Sequence, residues 1–327
     1  MSGKKESGGE QMKGKKKWKK GRWTKNDTEL TLLALPTTVW YVLFCFLPMF
    51  GLIIAFKNYK VTGGKSFLYN IIHSEWAGLK NFEFLIKSND LFVVLRNTIL
   101  YNLVFILLGM FLAVGLAILI SLMRNKRAAK VYQTLMFFPY FMSWVVAAYF
   151  TDAFLDMDHG MINGIIRKSG QTAVQWYTTS EVWPFILVFM YIWKSTGYSM
   201  VLYLSNISGI DTTLYEAAVM DGANKRQQVR YITLPCLKNV IVMMFILNVG
   251  KIFYSDFGLF YQISGGAKGS IFNTTATIDT YVYNALKSNT PMGMTSAAAF
   301  FQSVACCITI LLANWIVKKF DRDSALI

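Results

Sequence analysis

Three charged side chains stand inside apolar runs, where a charge is costly. Lys194 lies in the run Val182–Ile207, and Lys251 and Asp256 lie in the run Leu237–Tyr261. A charge at the centre of a membrane helix costs on the order of 2.5–3.5 kcal/mol on insertion scales, so each one needs a reason. Asn248, Lys251 and Ser255 recur at helical spacing and form a polar stripe, and Tyr191, Lys194 and Tyr198 form another. Lys251 and Asp256 are five residues apart and point away from one another on a helix, which makes them poor partners. Two arrangements account for such groups. Either they satisfy each other or a partner subunit, or they line a water-filled path and hold a polar solute through charges, amides, hydroxyls and aromatic faces. On the second reading Tyr254 joins the path.

Nothing in the chain has the pattern of a catalytic or metal centre. Gly63-Gly64-Lys65-Ser66 resembles the end of a phosphate loop, but the earlier glycine that loop requires would fall at Tyr59. The two histidines, His73 and His159, stand in loops, and no His/Cys/carboxylate cluster accompanies them. Asp152, Asp156 and Asp158 form an acidic run that reads as a solvated loop rather than a weak cation site. Cys45, Cys236, Cys306 and Cys307 lack metal or redox spacing and read as small core residues. The chain is expected to be no enzyme and to bind no metal or cofactor.

A second kind of chemistry lies in Leu214–Pro235, LYEAAVMDGANKRQQVRYITLP. Asp211 can cap a helix with Leu214, Ala217 and Ala218 on one face, and Asp221-Gly222 then ends it, because glycine accepts positive φ. A second short helix is predicted from Asn224 to Thr233, stopping at Pro235. Ala217, Ala218, Gly222 and Ala223 are small enough for another surface to approach closely, and Glu216 and Asp221 offer it fixed negative charge.

These residues require a membrane scaffold. Of 327 residues, 54% are hydrophobic and 16% charged, which marks one polytopic membrane protein. A span needs about 20 apolar residues. Six stretches qualify: Leu32–Phe56, Phe92–Met123, Val131–Leu155, Val182–Ile207, Leu237–Tyr261 and Ala297–Val317. Gly109, Ala113 and Ala117 recur every four residues along the second, as close helix packing in lipid requires. The net charge of +15 does not mark a nucleic-acid binder, because ten basic residues crowd before Asn26 and no basic stripe runs through the rest. Residues 1–29 read as a basic cytoplasmic tail drawn to anionic lipid, with Trp18 and Trp23 near the interface. Residues 30–327 form the membrane domain, with a core at about 91–318 and a hairpin at 211–235. The tail, Arg124 to Arg127, the Lys225/Arg226/Arg230 group and Lys318-Lys319 fall together, which puts both termini and the hairpin inside the cell.

Glu216-Ala217-Ala218, Asp221-Gly222-Ala223 and Ile232-Thr233-Leu234-Pro235 resemble the EAA motif of the permeases of bacterial ABC importers. Leu47 to Gly51 with Ala55-Phe56-Lys57, Trp76 to Phe82, Arg96-Asn97-Thr98 and Phe138-Pro139-Tyr140 through Ser143-Trp144 are similar to the carbohydrate-uptake branch, and within it to permeases for polysaccharide-derived oligosaccharides. The resemblance implies an all-α, six-span, type I importer permease in the bacterial cell membrane, with Glu216, Ala217, Ala218, Asp221, Gly222 and Ala223 coupling it to an ATPase. It implies a second related permease, two ATP-binding subunits that hold ATP and magnesium, an extracellular solute-binding protein and a carbohydrate substrate. It also brings Trp193, Gly197 and Tyr198 to one side of a substrate path and Asn248 to Asp256 to the other. Lys194, Lys251 and Asp256 depart from the mainly neutral polar groups of maltose permeases, a departure that suits a uronate-containing oligosaccharide. The alternative class is an ion-coupled secondary transporter or channel, which would usually show paired intramembrane acids or inverted repeats.

Overall fold

The computed structural model describes residues 24–87, 89–288 and 290–320. The chain divides into two compact units, Met1–Gly51 and Leu52–Ile327. The basic tail lies outside the described residues up to Trp23. From Lys25 the first unit is already helical, in α1 (Lys25–Tyr41), so the expected boundary after residue 29 falls inside a helix. Thr24 and Asp27 form a capping box that starts α1, and no residue of that helix is buried.

The second unit is built on α2 (Asn89–Ser121), α3 (Lys126–Phe137), α4 (Trp144–Leu155), α5 (Trp183–Ser208), α6 (Thr212–Met220), α7 (Leu234–Val249), α8 (Ile278–Lys287) and α9 (Met292–Phe320). A two-residue ribbon, β1 (Lys57–Asn58) against β2 (Glu75–Trp76), precedes them. The second, fourth and sixth runs form single long helices, α2, α5 and α9, near their expected bounds.

Helices α2 and α5 make the central pair. Ala113 and Ala117 of the four-residue repeat are fully buried among Met200, Tyr203 and Ile207 of α5, with Leu237 of α7 beside them. Toward the other end Phe105 stacks on Tyr191, ring centroids 3.8 Å apart, over a core of Trp183, Leu187, Phe260 and Ile263. Only Cys306 of the four cysteines is buried; Cys45, Cys236 and Cys307 are exposed. The expectation of core cysteines fails for Cys45 and Cys307 because they sit on outward faces of apolar helices, and for Cys236 because it stands at the hairpin end beside Ser205, Asn206 and Asp211.

Two expected straight spans are broken. The third consists of Lys126–Phe141 and Trp144–Leu155, bent by 98°. Pro139 lacks an N–H and Ser143 leaves the helical region, its side chain accepting from Val146 N at 3.2 Å to cap a new helix. The fifth does not run from Leu237 to Tyr261 as one helix. Helix α7 ends at Val249, and a new helical segment closes over Leu259–Ile263. The backbone freed between them is satisfied by side chains from elsewhere. Asn102 Nδ2 donates to the carbonyls of Ile252 and Tyr254, both at 2.9 Å, Gln302 Nε2 donates to Phe253 O at 2.6 Å, and Ser255 N donates to Asp279 Oδ2 at 2.6 Å. Irregular backbone at membrane depth needs this kind of internal pairing.

Candidate functional site: a polar seam at two helix breaks

The breaks in the third and fifth spans meet beside α5. Trp144, the first residue after the bend, donates from Nε1 to Asp256 Oδ2 at 2.8 Å. Asp256 Oδ1 accepts from Leu259 N at 3.2 Å, so this carboxylate also opens the helical segment that follows. Lys194 of α5 donates from Nζ to the carbonyl of Tyr140 at 3.1 Å. Its ammonium also sits 5.0 Å from the Trp144 ring centroid and 5.4 Å from that of Tyr140. Lys194 and Asp256 form no direct ion pair; Trp144 links them. Tyr198 stacks on Tyr140 at 4.6 Å and 15°, and both rings are more than two-fifths exposed.

Close backbone approach builds this seam. A Cβ on Gly197 would overlap the carbonyl of Met136, so only glycine lets α5 lie against the end of α3. A Cβ on Gly258 would likewise overlap the Trp144 ring.

The expected path residues separate into groups. Lys194, Gly197, Tyr198 and Asp256 come together at the seam. Trp193 turns away, toward an apolar cavity of about 810 Å³ lined by Phe138, Phe150, Phe154 and Phe189. Asn248 and Lys251 are exposed, and neither side chain has a hydrogen bond or ion pair among the described residues. Tyr254 OH pairs with Ser303 Oγ at 3.0 Å. Ser255 Oγ is taken by Asp279 at 2.7 Å and by Thr277 at 2.8 Å, so it braces the break. Because the helix ends at Val249, Asn248, Lys251 and Ser255 do not form the helical stripe their spacing predicts. Sequence reasoning missed Tyr140, Trp144, Asp279, Gln302 and Asn102. The Pro139 to Ser143 break inside an apolar run was the legible signal for the first two. The partners of the second break have no local signature.

The hairpin forms at the opposite end of α5. Asp211 Oδ1 accepts from Thr213 N at 3.0 Å, and this bond holds the carboxyl below its ordinary pKa. Helix α6 then runs Thr212–Met220, and Gly222 turns the chain at φ +79°. The returning arm begins with a capping box between Asn224 and Gln227. Tyr215 OH meets Thr233 Oγ1 at 2.9 Å, and buried Gln228 donates to Ala223 O at 3.1 Å, which ties the arms together. The expected stop at Pro235 does not occur. A wide turn over Val229–Thr233 leads straight into α7, where the proline occupies the first helical turn. Its missing N–H is tolerated at that position. Glu216, Ala217, Asp221 and Gly222 are exposed, Ala218 and Ala223 half-buried, and Glu216 has no ion pair among the described residues.

A bundle of membrane-length helices, two of them broken around a polar seam, with a folded hairpin exposed at one end, defines the membrane subunit of a transporter. Residues 106–322 match the family described as binding-protein-dependent transport system inner membrane component, and the chain belongs to that family. It is 32% identical over 294 residues to the polygalacturonan/rhamnogalacturonan transport system permease protein YteP of Bacillus subtilis, covering 90% of this chain and 89% of that one. It is 24% identical to the trehalose/maltose transport system permease protein MalF of Thermococcus litoralis, covering 77% and 82%. Among solved structures it is similar to a chain of a bacterial ABC transporter involved in the import of the acidic polysaccharide alginate. The TM-score is 0.80 at 28% identity, over 91% of this chain and 97% of that one. A second structure of an alginate transporter, in complex with an alginate pentasaccharide-bound periplasmic protein, gives a TM-score of 0.79 at 28% identity, over 90% and 96%. The chain is therefore a permease subunit of an ABC importer in the cell membrane and is not itself the catalytic subunit. Family membership replaces the alternative of an ion-coupled carrier.

Proposed function

We propose that this permease imports an oligosaccharide bearing carboxylates, received from an extracellular binding protein, along a path walled by Tyr140, Trp144, Lys194 and Tyr198. The observation that carries the reading is the placement of the Lys194 ammonium among aromatic faces at the two helix breaks. Sugar rings present C–H faces to aromatic rings, and an ammonium supplies a point charge for a carboxylate. Lys251, an exposed cation with no partner among the described residues, adds a second. The relatives named for polygalacturonan and alginate handle acidic polysaccharides, which supports the same substrate class.

On this reading the chain works beside a second related permease and two ATPase subunits, which hold ATP and magnesium while this chain binds no cofactor. The hairpin end faces the cytoplasm, where Glu216, Ala217, Ala218, Asp221, Gly222 and Ala223 engage an ATPase. Closure of the ATPases moves the hairpin, and α6 and α7 transmit the motion to the breaks. The test is uptake into proteoliposomes holding the whole importer and its binding protein, comparing a uronate oligosaccharide with a neutral one of equal length. The uronate should be preferred, and Lys194→Met should cut its uptake on the order of tenfold, as for a charge-assisted contact. Equal transport of both sugars, or an unaffected Lys194→Met, overturns the reading.

A further inference from the structure

A groove of about 1110 Å³ lies at the hairpin end of the bundle, between the hairpin and the ends of α2 and α5. Its lining has two characters. Leu122, Val219 and Met220 supply an exposed apolar wall over buried Ile120 and Ile207, and Met220 is 86% exposed. Arg124, Lys126, Lys130 and Lys225 supply four cations against one carboxylate, Glu216. The side chains of Arg124, Lys126 and Lys130 make no hydrogen bond or ion pair among the described residues, while Lys225 Nζ reaches Gln228 Oε1 at 3.2 Å. Like charges gathered around one concavity repel one another until an anion joins them. A soluble anion would leave the apolar wall against water, and a hydrocarbon alone would leave the cations without a counter-charge.

We propose that this groove is a binding site for an anionic phospholipid, its phosphate on Lys126, Lys130 and Arg124 and its acyl chain along Leu122 and Val219, over buried Ile120 and Ile207. The groove lies where membrane-length helices α2 and α5 end, the depth of a headgroup. Basic pockets between spans on the cytoplasmic side recognise anionic headgroups by this combination of charge and apolar wall. The bound lipid braces α6 against α2 and so steadies the hairpin. The inference does not depend on which sugar is carried.

The experiment uses the purified importer with all its subunits, delipidated and titrated with phosphatidylcholine vesicles with and without phosphatidylglycerol. Retained lipid is counted by mass spectrometry. A cation near a lipid surface contributes about fivefold in affinity, so Lys126→Gln/Lys130→Gln should weaken phosphatidylglycerol retention about 25-fold. Lys126→Arg/Lys130→Arg should restore it. Lys168→Gln, at the opposite end of the bundle, should leave it unchanged. Wild-type retention in the double Gln variant overturns the proposal. Displacement of the lipid by soluble glycerol 3-phosphate overturns it in favour of a free phosphate ligand. Loss of the ATPase from the double variant, with lipid retention unchanged, assigns the groove to the ATPase instead.

Discussion

Replacing Gly222 separates the geometry of the hairpin turn from its proposed role as a docking surface. The residue has φ +79°, yet a Cβ built there meets no atom within 4 Å. Steric clash inside the chain therefore contributes nothing, and the cost of a side chain is backbone strain alone. For alanine that strain is about 1–2 kcal/mol, partly offset by about 0.4–1 kcal/mol from a less flexible unfolded chain. Asn and Asp enter the left-handed region with less strain, so both should leave the hairpin folded. Gly222→Asn and Gly222→Asp should insert and unfold at nearly the wild-type temperature. Gly222→Asp should nonetheless abolish sugar-stimulated ATP hydrolysis and uptake, because it places a bulky negative group on the surface proposed to meet the ATPase, next to Asp221. Glu216→Ala should act at the same contact. Removing one partner of a shielded charge pair costs about 2–5 kcal/mol, at least 30-fold weaker ATPase binding. The assay is ATP hydrolysis and uptake in proteoliposomes, with ATPase retention measured on an affinity column. Normal stimulated hydrolysis in Gly222→Asp and Glu216→Ala would refute the coupling role. An order in which Gly222→Ala is worse than Gly222→Asp would show that the turn conformation, not the surface, is what matters.

Three further outcomes follow from the seam and its supports. Lys251→Ala should lower uptake while the complex assembles normally; unchanged transport would remove Lys251 from the path. Gly197→Ala should force α5 off the end of α3, an overpacking cost of about 1–3 kcal/mol visible as a lower unfolding temperature in detergent. Asn102→Ala leaves the carbonyls of Ile252 and Tyr254 without their donor, at about 1–3 kcal/mol for the part-buried Ile252 carbonyl and less for the exposed Tyr254 carbonyl. It should therefore lower both stability and uptake, whereas a loss of uptake alone would place Asn102 in the path.

Local chemistry made much of this protein readable without coordinates. The second, fourth and sixth membrane-length runs, the Gly109–Ala113–Ala117 repeat, the Asp211 cap and the positive φ of Gly222 each depend on a few neighbouring residues, and each is found where its residues predict. The family was legible for a related reason, since the residues that resemble the EAA motif lie in one short run at fixed spacing. The tertiary structure decided where helices stop. Continuous hydrophobicity across residues 237–261 predicts one span, because hydropathy records transfer into lipid and not how a backbone is hydrogen-bonded. The break at Val249 exists because Asn102, Asp279 and Gln302, more than 20 residues away in the chain, supply the bonds that the helix gives up. The same long-range arrangement sets Trp144 between Lys194 and Asp256. Periodicity placed those two charges on separate helices and left open whether they satisfy each other or line a path, and only the packing of two broken spans brings them to one ring.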